Sequence, residues 1–407
     1  MEFPTLNDVN VKGKTVLVRV DINSPINSKT GDLLDDTRIR ECAPTLRELA
    51  HSGAKIVLLA HQGRPGDEDF TTLEKHAAAL TKALGLHVRY INDILGPMAR
   101  IAIKILRPSE ILLLENVRFL AEEILSGSPD DMAKTHLVQS LSKLAEVYVN
   151  DAFAAIHRGS PSLVGFGAVL PTFAGRLMER ELKGLSRARS PEHPCVYVLG
   201  GAKVDDSLTI TENVLSKGIA DLVLTGGLVG QTLLASAGHN IGKPNLELLV
   251  KKGYQKLIDV GKEMLARYPG KIKIPVDVLV DDNGHPKEIT AEQLPTELVM
   301  RDIGSRTIAE YSKIIESAKT VVANGPLGMF ENPTYANGTF EVLMAMARSP
   351  AFTIIGGGHI VAAVHAAGVA GQIKHVSTGG GACISFLAGE KLPVVEMLTR
   401  AKAGAKT

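Results

Sequence analysis

The sequence predicts an α/β protein with two doubly wound parallel-sheet domains joined by a hinge helix, and three observations carry that prediction. Short aliphatic runs alternate with helix-period segments along almost the whole chain. Most of the runs lack polar alternation, as strands covered by helices on both faces should. The 407 residues are also too many for one ordinary core and suit two domains.

Taken in order, TVLVRV (15–20) opens the series. A helix from Asp36 through Leu49, closed by Gly53, leads to KIVLLA (55–60), which makes a βαβ unit. HVRYI, ILLLENV, VYVND, CVYVLGG, LVLTGG, KIPVDVLV, VVANGP, FTIIGGG and HVSTGGG continue the rhythm, and two parallel sheets are expected to use them all. Between Pro171 and Pro191 the leucines at 177, 182 and 185 stand among charges with no strand of their own to follow. That segment reads as a linking helix over 174–190. The expected domains are 1–173 and 191–390, with the tail 391–407 folding back on the first.

Composition narrows the function classes. Lys and Arg total 45 against 44 Asp and Glu, so no global field draws the protein to nucleic acid or to a membrane. Tryptophan is absent and aromatics are 4%, which argues against base-stacking platforms. MEFPTLNDVN has neither a basic nor an apolar signal region, and no apolar run approaches the roughly 18 residues of a membrane span. A cytoplasmic protein is expected. Cys42, Cys195 and Cys383 lie far apart in apolar stretches without metal-ligand spacing, so buried reduced thiols are expected. Two familiar motifs fail. Gly13–Lys14–Thr15 has Asp8 where a phosphate-binding loop needs its first glycine, and it precedes a strand. Gly165–Phe166–Gly167 has Leu170 where a dinucleotide fingerprint needs its third glycine.

Open α/β sheets bind ligands beyond the carboxyl ends of their strands, so the residues that leave each strand matter most. In the first half these are Asp21 and Asn23, then His61, Gln62, Gly63 and Arg64, then Arg118, then His157 and Arg158, with Arg38 opening the first helix. Four arginines and two histidines on the exits of one sheet suit a small, highly anionic molecule, because each guanidinium can hold phosphate or carboxylate in a fork. The second half leaves its strands on glycines: Gly200–Gly201, Gly226–Gly227, Asn324–Gly325–Pro326, Gly356–Gly357–Gly358 and Gly379–Gly380–Gly381. Such runs bring backbone N–H groups close to phosphate oxygens at helix N-termini. Lys203 stands about one turn beyond the strand VYVL, just before a helix expected from Asp206.

Together VRVDINSP (18–25), DDTRIR (35–40), HQGRP (61–65), LLENVRF (113–119), YVNDAFAAIHR (148–158), GGAKV (200–204), PVD (275–277), ANGPLGMFE (323–331), GGG (356–358) and STGGGA (377–382) resemble the phosphoglycerate kinase family. The resemblance implies two Rossmann-like domains and a glycolytic and gluconeogenic phosphotransferase. That enzyme would pass the acyl phosphate of 1,3-bisphosphoglycerate reversibly to ADP, giving 3-phosphoglycerate and ATP. It implies Mg²⁺ with the nucleotide, phosphoglycerate and an adenine nucleotide as partners, and a monomer rather than a dimer. It assigns Asp21, Asn23, Arg38, His61, Gln62, Gly63, Arg64, Arg118, His157 and Arg158 to the phosphoglycerate. Lys203, Gly226, Glu331, Gly357, Gly358, His359 and Ile360 go to the nucleotide, with Glu331 on the ribose, and Arg38, Lys203 and Gly380 to catalysis. Two positions depart from the common family pattern: Ser207 replaces a second lysine, and His359 with Ile360 replaces Asp-Thr. These departures resemble the archaeal-type branch and leave the metal ligands unassigned.

Overall fold

The computed structural model describes residues 2–27 and 29–404. The chain divides into two compact units, Met1–Lys183 with Lys391–Thr407, and Gly184–Glu390. The first holds six strands: β1 (Thr15–Val20), β2 (Lys55–Leu59), β3 (Val88–Tyr90), β4 (Ile111–Leu113), β5 (Val147–Asp151) and β6 (Thr172–Ala174). They form one parallel sheet in the order β3-β4-β2-β1-β5-β6. The helix Thr37–His51 lays Ile39, Cys42, Ala43, Leu46, Leu49 and Ala50 on the core, the three-and-four spacing of a helix buried along one stripe. From β1 the chain moves to β2 on one side, and β5 lies on the other, so a crevice is expected outside the end of β1. The helix Pro393–Gly404 belongs to the same unit, where Val394 and Leu398 are fully buried and Arg400 pairs with Asp130 at 2.7 Å.

The second unit holds β7 (Cys195–Leu199), β8 (Leu222–Thr225), β9 (Ile272–Lys273), β10 (Asp277–Asp282), β11 (His285–Thr290), β12 (Val299–Ile303), β13 (Thr320–Asn324), β14 (Phe352–Gly356) and β15 (His375–Val376). Its main sheet is parallel in the order β15-β14-β13-β7-β8-β9, the order of a dinucleotide-binding sheet. The chain runs outward through β7, β8 and β9, then returns to β13 on the other side of β7. The direction therefore reverses between β7 and β13, whose last residues, Leu199 and Asn324, are paired. Beyond that pair two glycine loops meet: Gly200 N–H donates to Asn324 O at 2.8 Å, and Gly201 N–H to Pro326 O at 2.6 Å. A Cβ on Gly200 would stand 2.3 Å from Pro326 O, and one on Gly325 2.2 Å from Gly200 O. Only glycine permits this approach.

Three local features differ from the sequence expectation. KIPVDVLV is not one parallel strand: β9 ends the parallel sheet, and β10 begins a separate antiparallel sheet of order β11-β10-β12. The cause is a hairpin at Asn283–Gly284, where φ is 52° and 88°, the left-handed pair that a tight hairpin turn requires. Thr172–Ala174 forms the edge strand β6, which takes Ala174 from the expected linking helix, and that helix runs from Arg176 to Arg189. The helix after β7 begins at Val204, so Lys203 caps it instead of preceding it by a few residues.

Candidate active site

In the first unit the strand exits build a basic pocket of about 360 Å³, lined by Arg19, Arg64, Arg118, His157 and Arg158 with Glu123, Ser126 and Ser160. Its only carboxylate is already committed: Glu123 accepts hydrogen bonds from Ser160 Oγ at 2.7 Å and from Ser162 N and Oγ at 3.0 and 2.5 Å. The four guanidiniums therefore face one another without an equal negative charge. Burial and the neighbouring Arg158, Arg19 and Arg64 push the Arg118 pKa down to about 10. An arrangement that is electrostatically uncomfortable when empty is relieved by a multiply charged anion.

Behind this wall the other predicted residues hold the loops. Asp21 Oδ1 is 2.9 Å from Arg38 Nη1, and Asn23 Oδ1 accepts from Gly63 N–H at 2.8 Å. Burial opposes ionisation of Asp21, yet the charges of Arg38 and Arg19 with the Asn23 N–H outweigh it and hold its pKa below the usual carboxylate range. His61 lies between Arg19, 2.9 Å from Nδ1, and Arg158, 3.5 Å from Nε2. Burial and those cations hold its ring neutral, well below the usual imidazole range. Gly63 has φ 64°, and a Cβ there would stand 2.6 Å from the Asp69 backbone. Its carbonyl accepts from Arg118. Gln62 is not at the pocket wall. It is fully buried, with Oε1 held by Ser24 N–H and His76 at 2.9 Å and Nε2 donating to Ser24 O at 3.0 Å, so its amide ties two loops together.

The second unit carries a pocket of about 580 Å³ at the reversal between β7 and β13. Four helices start at its wall: Val204–Ser216 behind Lys203, Gly227–Ser236, Gly358–Ala366 and Gly381–Leu387. Their free N–H groups and dipoles favour negative charge. Lys203, 71% exposed, has Nζ 3.6 Å from Asp206 Oδ2. Gly357 has φ 103°, and a Cβ there would stand 2.4 Å from Asn324 Oδ1. Gly358, His359, Ile360, Gly380 and Glu331 line the pocket as expected, and Glu331 Oε1 is 3.7 Å from His359 Nδ1. Gly226 does not line it. Gly226 packs against Leu327, which a Cβ would meet at 2.7 Å, and Gly227 takes the place at the wall. The remaining wall mixes apolar Leu228, Leu248, Met300 and Met329 with polar Gln231, Lys252 and Arg301.

The family profile described as phosphoglycerate kinase matches residues 6–390. The chain belongs to the phosphoglycerate kinase family. It is 51% identical over 403 residues to the phosphoglycerate kinase of Methanobacterium bryantii, covering 99% of this chain and 98% of that one. It is 46% identical to that of Pyrococcus furiosus over 97% of this chain and 96% of that one. Among solved structures, the phosphoglycerate kinase of Pyrococcus horikoshii OT3 superposes with a TM-score of 0.89 at 46% identity, covering 98% of this chain and 99% of that one. The enzyme from Coxiella burnetii does so with 0.84 at 31%, with the same coverage.

Within this phosphoglycerate kinase fold, sequence reasoning missed Arg19, 1% exposed, whose Nε donates to Ser162 Oγ at 2.8 Å. The signal was present as one arginine inside the apolar strand TVLVRV. Lys252 and Arg301 of the second pocket were also missed, because the antiparallel insertion and the segment before it carry no glycine exit, and Gln231 because it lies a turn into the helix that Gly226–Gly227 opens. Ser207 and His359 both line that pocket. Among the described residues no three His, Cys, Asp or Glu side chains gather as a metal site, so the protein alone does not fit a preformed magnesium cage.

Proposed function

We propose that the chain catalyses the reversible transfer of the acyl phosphate of 1,3-bisphosphoglycerate to ADP, with phosphoglycerate bound by 1–173 and 391–407 and nucleotide by 191–390. The observation that carries this reading is one chain with two differently built anion pockets. One has four guanidiniums around a committed carboxylate, and the other is a glycine wall where four helices begin.

Phosphoryl transfer asks the protein for positioning and charge neutralisation more than for covalent chemistry. The attacking group is already an oxyanion, so no general base is required. Arg64, Arg118, His157 and Arg158 hold the phosphoglycerate, with Asp21, Asn23 and His61 fixing their loops. Gly357, Gly358, Ile360 and the N–H groups at Gly380 and Gly381 receive the nucleotide phosphates, and Glu331 takes the ribose hydroxyls. Arg38 and Lys203 neutralise charge on the transferring group. Magnesium supplies further neutralisation when present. It would be held by the nucleotide's own oxygens and water, since neither Ser207 nor His359 on the wall offers a carboxylate.

A monomer in the cytoplasm completes the proposal. The three buried free cysteines favour a reducing compartment, and among the described residues no helix is long and apolar enough to cross a membrane. A coupled assay is expected to show ATP formation that requires both 1,3-bisphosphoglycerate and ADP. Absence of phosphoglycerate-dependent turnover would overturn the reading.

A further inference from the structure

Two guanidiniums of the first unit compete for one imidazole. Arg19 Nη2 lies 2.9 Å from Nδ1 of His61, and Arg158 Nη1 lies 3.5 Å from its Nε2. A guanidinium only donates, and a neutral imidazole accepts through one nitrogen and donates through the other, so the ring satisfies one arginine and not both. A protonated ring would satisfy neither. Burial and the nearby cations keep the ring neutral.

Which arginine has the acceptor follows from how each is held. Arg19 is 1% exposed, its Nε donates to Ser162 Oγ at 2.8 Å, and its Nη1 donates to Val20 O at 2.5 Å. Ser162 Oγ is open to that bond because its own proton goes to Glu123 Oε1, 2.5 Å away, while the Ser162 N–H donates to Oε2 at 3.0 Å. An acceptor-only carboxylate at one end and a donor-only guanidinium in the middle thus fix the direction of every bond in the chain Glu123–Ser162–Arg19–His61. Arg158 is held more loosely. Its Nε is 3.4 Å from His157 Nε2, it forms no ion pair among the described residues, and it lines the basic pocket. The shorter and better anchored bond makes Nδ1 the acceptor and leaves the ring proton on Nε2, where the Arg158 contact sets donor against donor.

We infer that Arg19 is a positioning residue: by holding His61 as the Nε2–H tautomer it denies Arg158 an acceptor inside the protein and leaves that guanidinium to the anion of the basic pocket. With the proton on Nδ1 instead, Nε2 would accept from Arg158 and draw it off the pocket. The effect on the ligand rests on the assignment of this pocket to phosphoglycerate, and the tautomer does not.

The test reads the protonation of the His61 ring nitrogens by heteronuclear NMR in the ligand-free protein at neutral pH, with the signals assigned by their loss in His61→Gln. Calorimetry gives the affinity for 3-phosphoglycerate in wild type, Arg158→Ala, Arg19→Met and the double variant. Wild type is expected to carry its ring proton on Nε2, and Arg158→Ala to leave it there. Arg19→Met should let the proton move to Nδ1 and weaken 3-phosphoglycerate binding by about tenfold, the order of one charge-assisted hydrogen bond. Because Arg158 is then already drawn away, adding Arg158→Ala should cost less than it does in wild type. A wild-type ring protonated on Nδ1 or on both nitrogens, an unchanged tautomer in Arg19→Met, or losses that simply multiply would overturn the inference. If Arg19→Met does not fold, the wild-type and Arg158→Ala spectra decide, since a tautomer that shifts when Arg158 is removed gives the acceptor to Arg158 and overturns it. If wild type does not bind 3-phosphoglycerate, the proposed function fails, and the spectra still decide the tautomer.

Discussion

Lys203 and Arg158 are both cations at anion pockets, but the proposed reaction asks different things of them. Lys203 is exposed at the start of the helix Val204–Ser216, where we propose that its charge meets the transferring phosphoryl group as that group's negative charge redistributes. Lys203→Met is therefore expected to lower kcat by roughly 10²–10³ with little change in KM for nucleotide, in line with loss of a group that acts on the transition state. A loss found wholly in KM would refute that role. Arg158 lines the basic pocket beside His61 and is proposed to hold a group remote from the reacting oxygen, so Arg158→Ala should act mainly on phosphoglycerate affinity. Titration of 3-phosphoglycerate into the variant measures this directly.

At the scale of elements, the start of the helix Arg176–Arg189 carries a testable electrostatic penalty. Asp151, at the end of β5, is fully buried beneath that helix. Its Oδ1 accepts from Met178 N–H at 3.0 Å, while Oδ2 has no partner. Burial raises its pKa from 3.8 to about 6, against the opposing hydrogen bonds of Thr45 and the helix N–H groups and the charge of Arg180. The folded state then binds this proton more tightly than the unfolded chain. Stability is present below about pH 4 and falls as pH rises through 6. Above pH 7 the ionised group costs on the order of 3 kcal/mol. Asp151→Asn is expected to raise Tm at pH 8 by a few degrees, with the gain shrinking towards pH 4.5. Calorimetry at the two pH values decides it, and an equal destabilisation at both would show that the carboxylate's hydrogen bonds outweigh its charge.

For the whole molecule, the groups proposed to act on one phosphoryl group come from different units, Arg38 from the first and Lys203 from the second. We propose that the two substrates together favour a closed arrangement that neither favours alone. Solution scattering is expected to show a smaller radius of gyration with 3-phosphoglycerate and nucleotide together than with either alone. An identical radius in all four states would count against it.

The strands, their parallel pairing and the glycines at their ends were legible in the residues, because each is a local demand. A strand buried on both faces must be apolar throughout, and a turn with positive φ needs glycine. The arginines at the strand exits were legible for the same reason. The antiparallel sheet was readable too, from Asn283–Gly284 inside DDNGH, but the aliphatic run of KIPVDVLV masked it. Other features depend on what lies opposite in space, which no spacing along the chain encodes. Gly226 and Gly227 are neighbours with the same side chain, yet Leu327 stands against one and the pocket against the other. Gln62 looks like a ligand group until Ser24 and His76 take both ends of its amide, and Arg19 looks like a strand residue until β1 points it at His61. Whether a polar atom is satisfied depends on partners brought together from distant parts of the chain, and only the tertiary structure decides that.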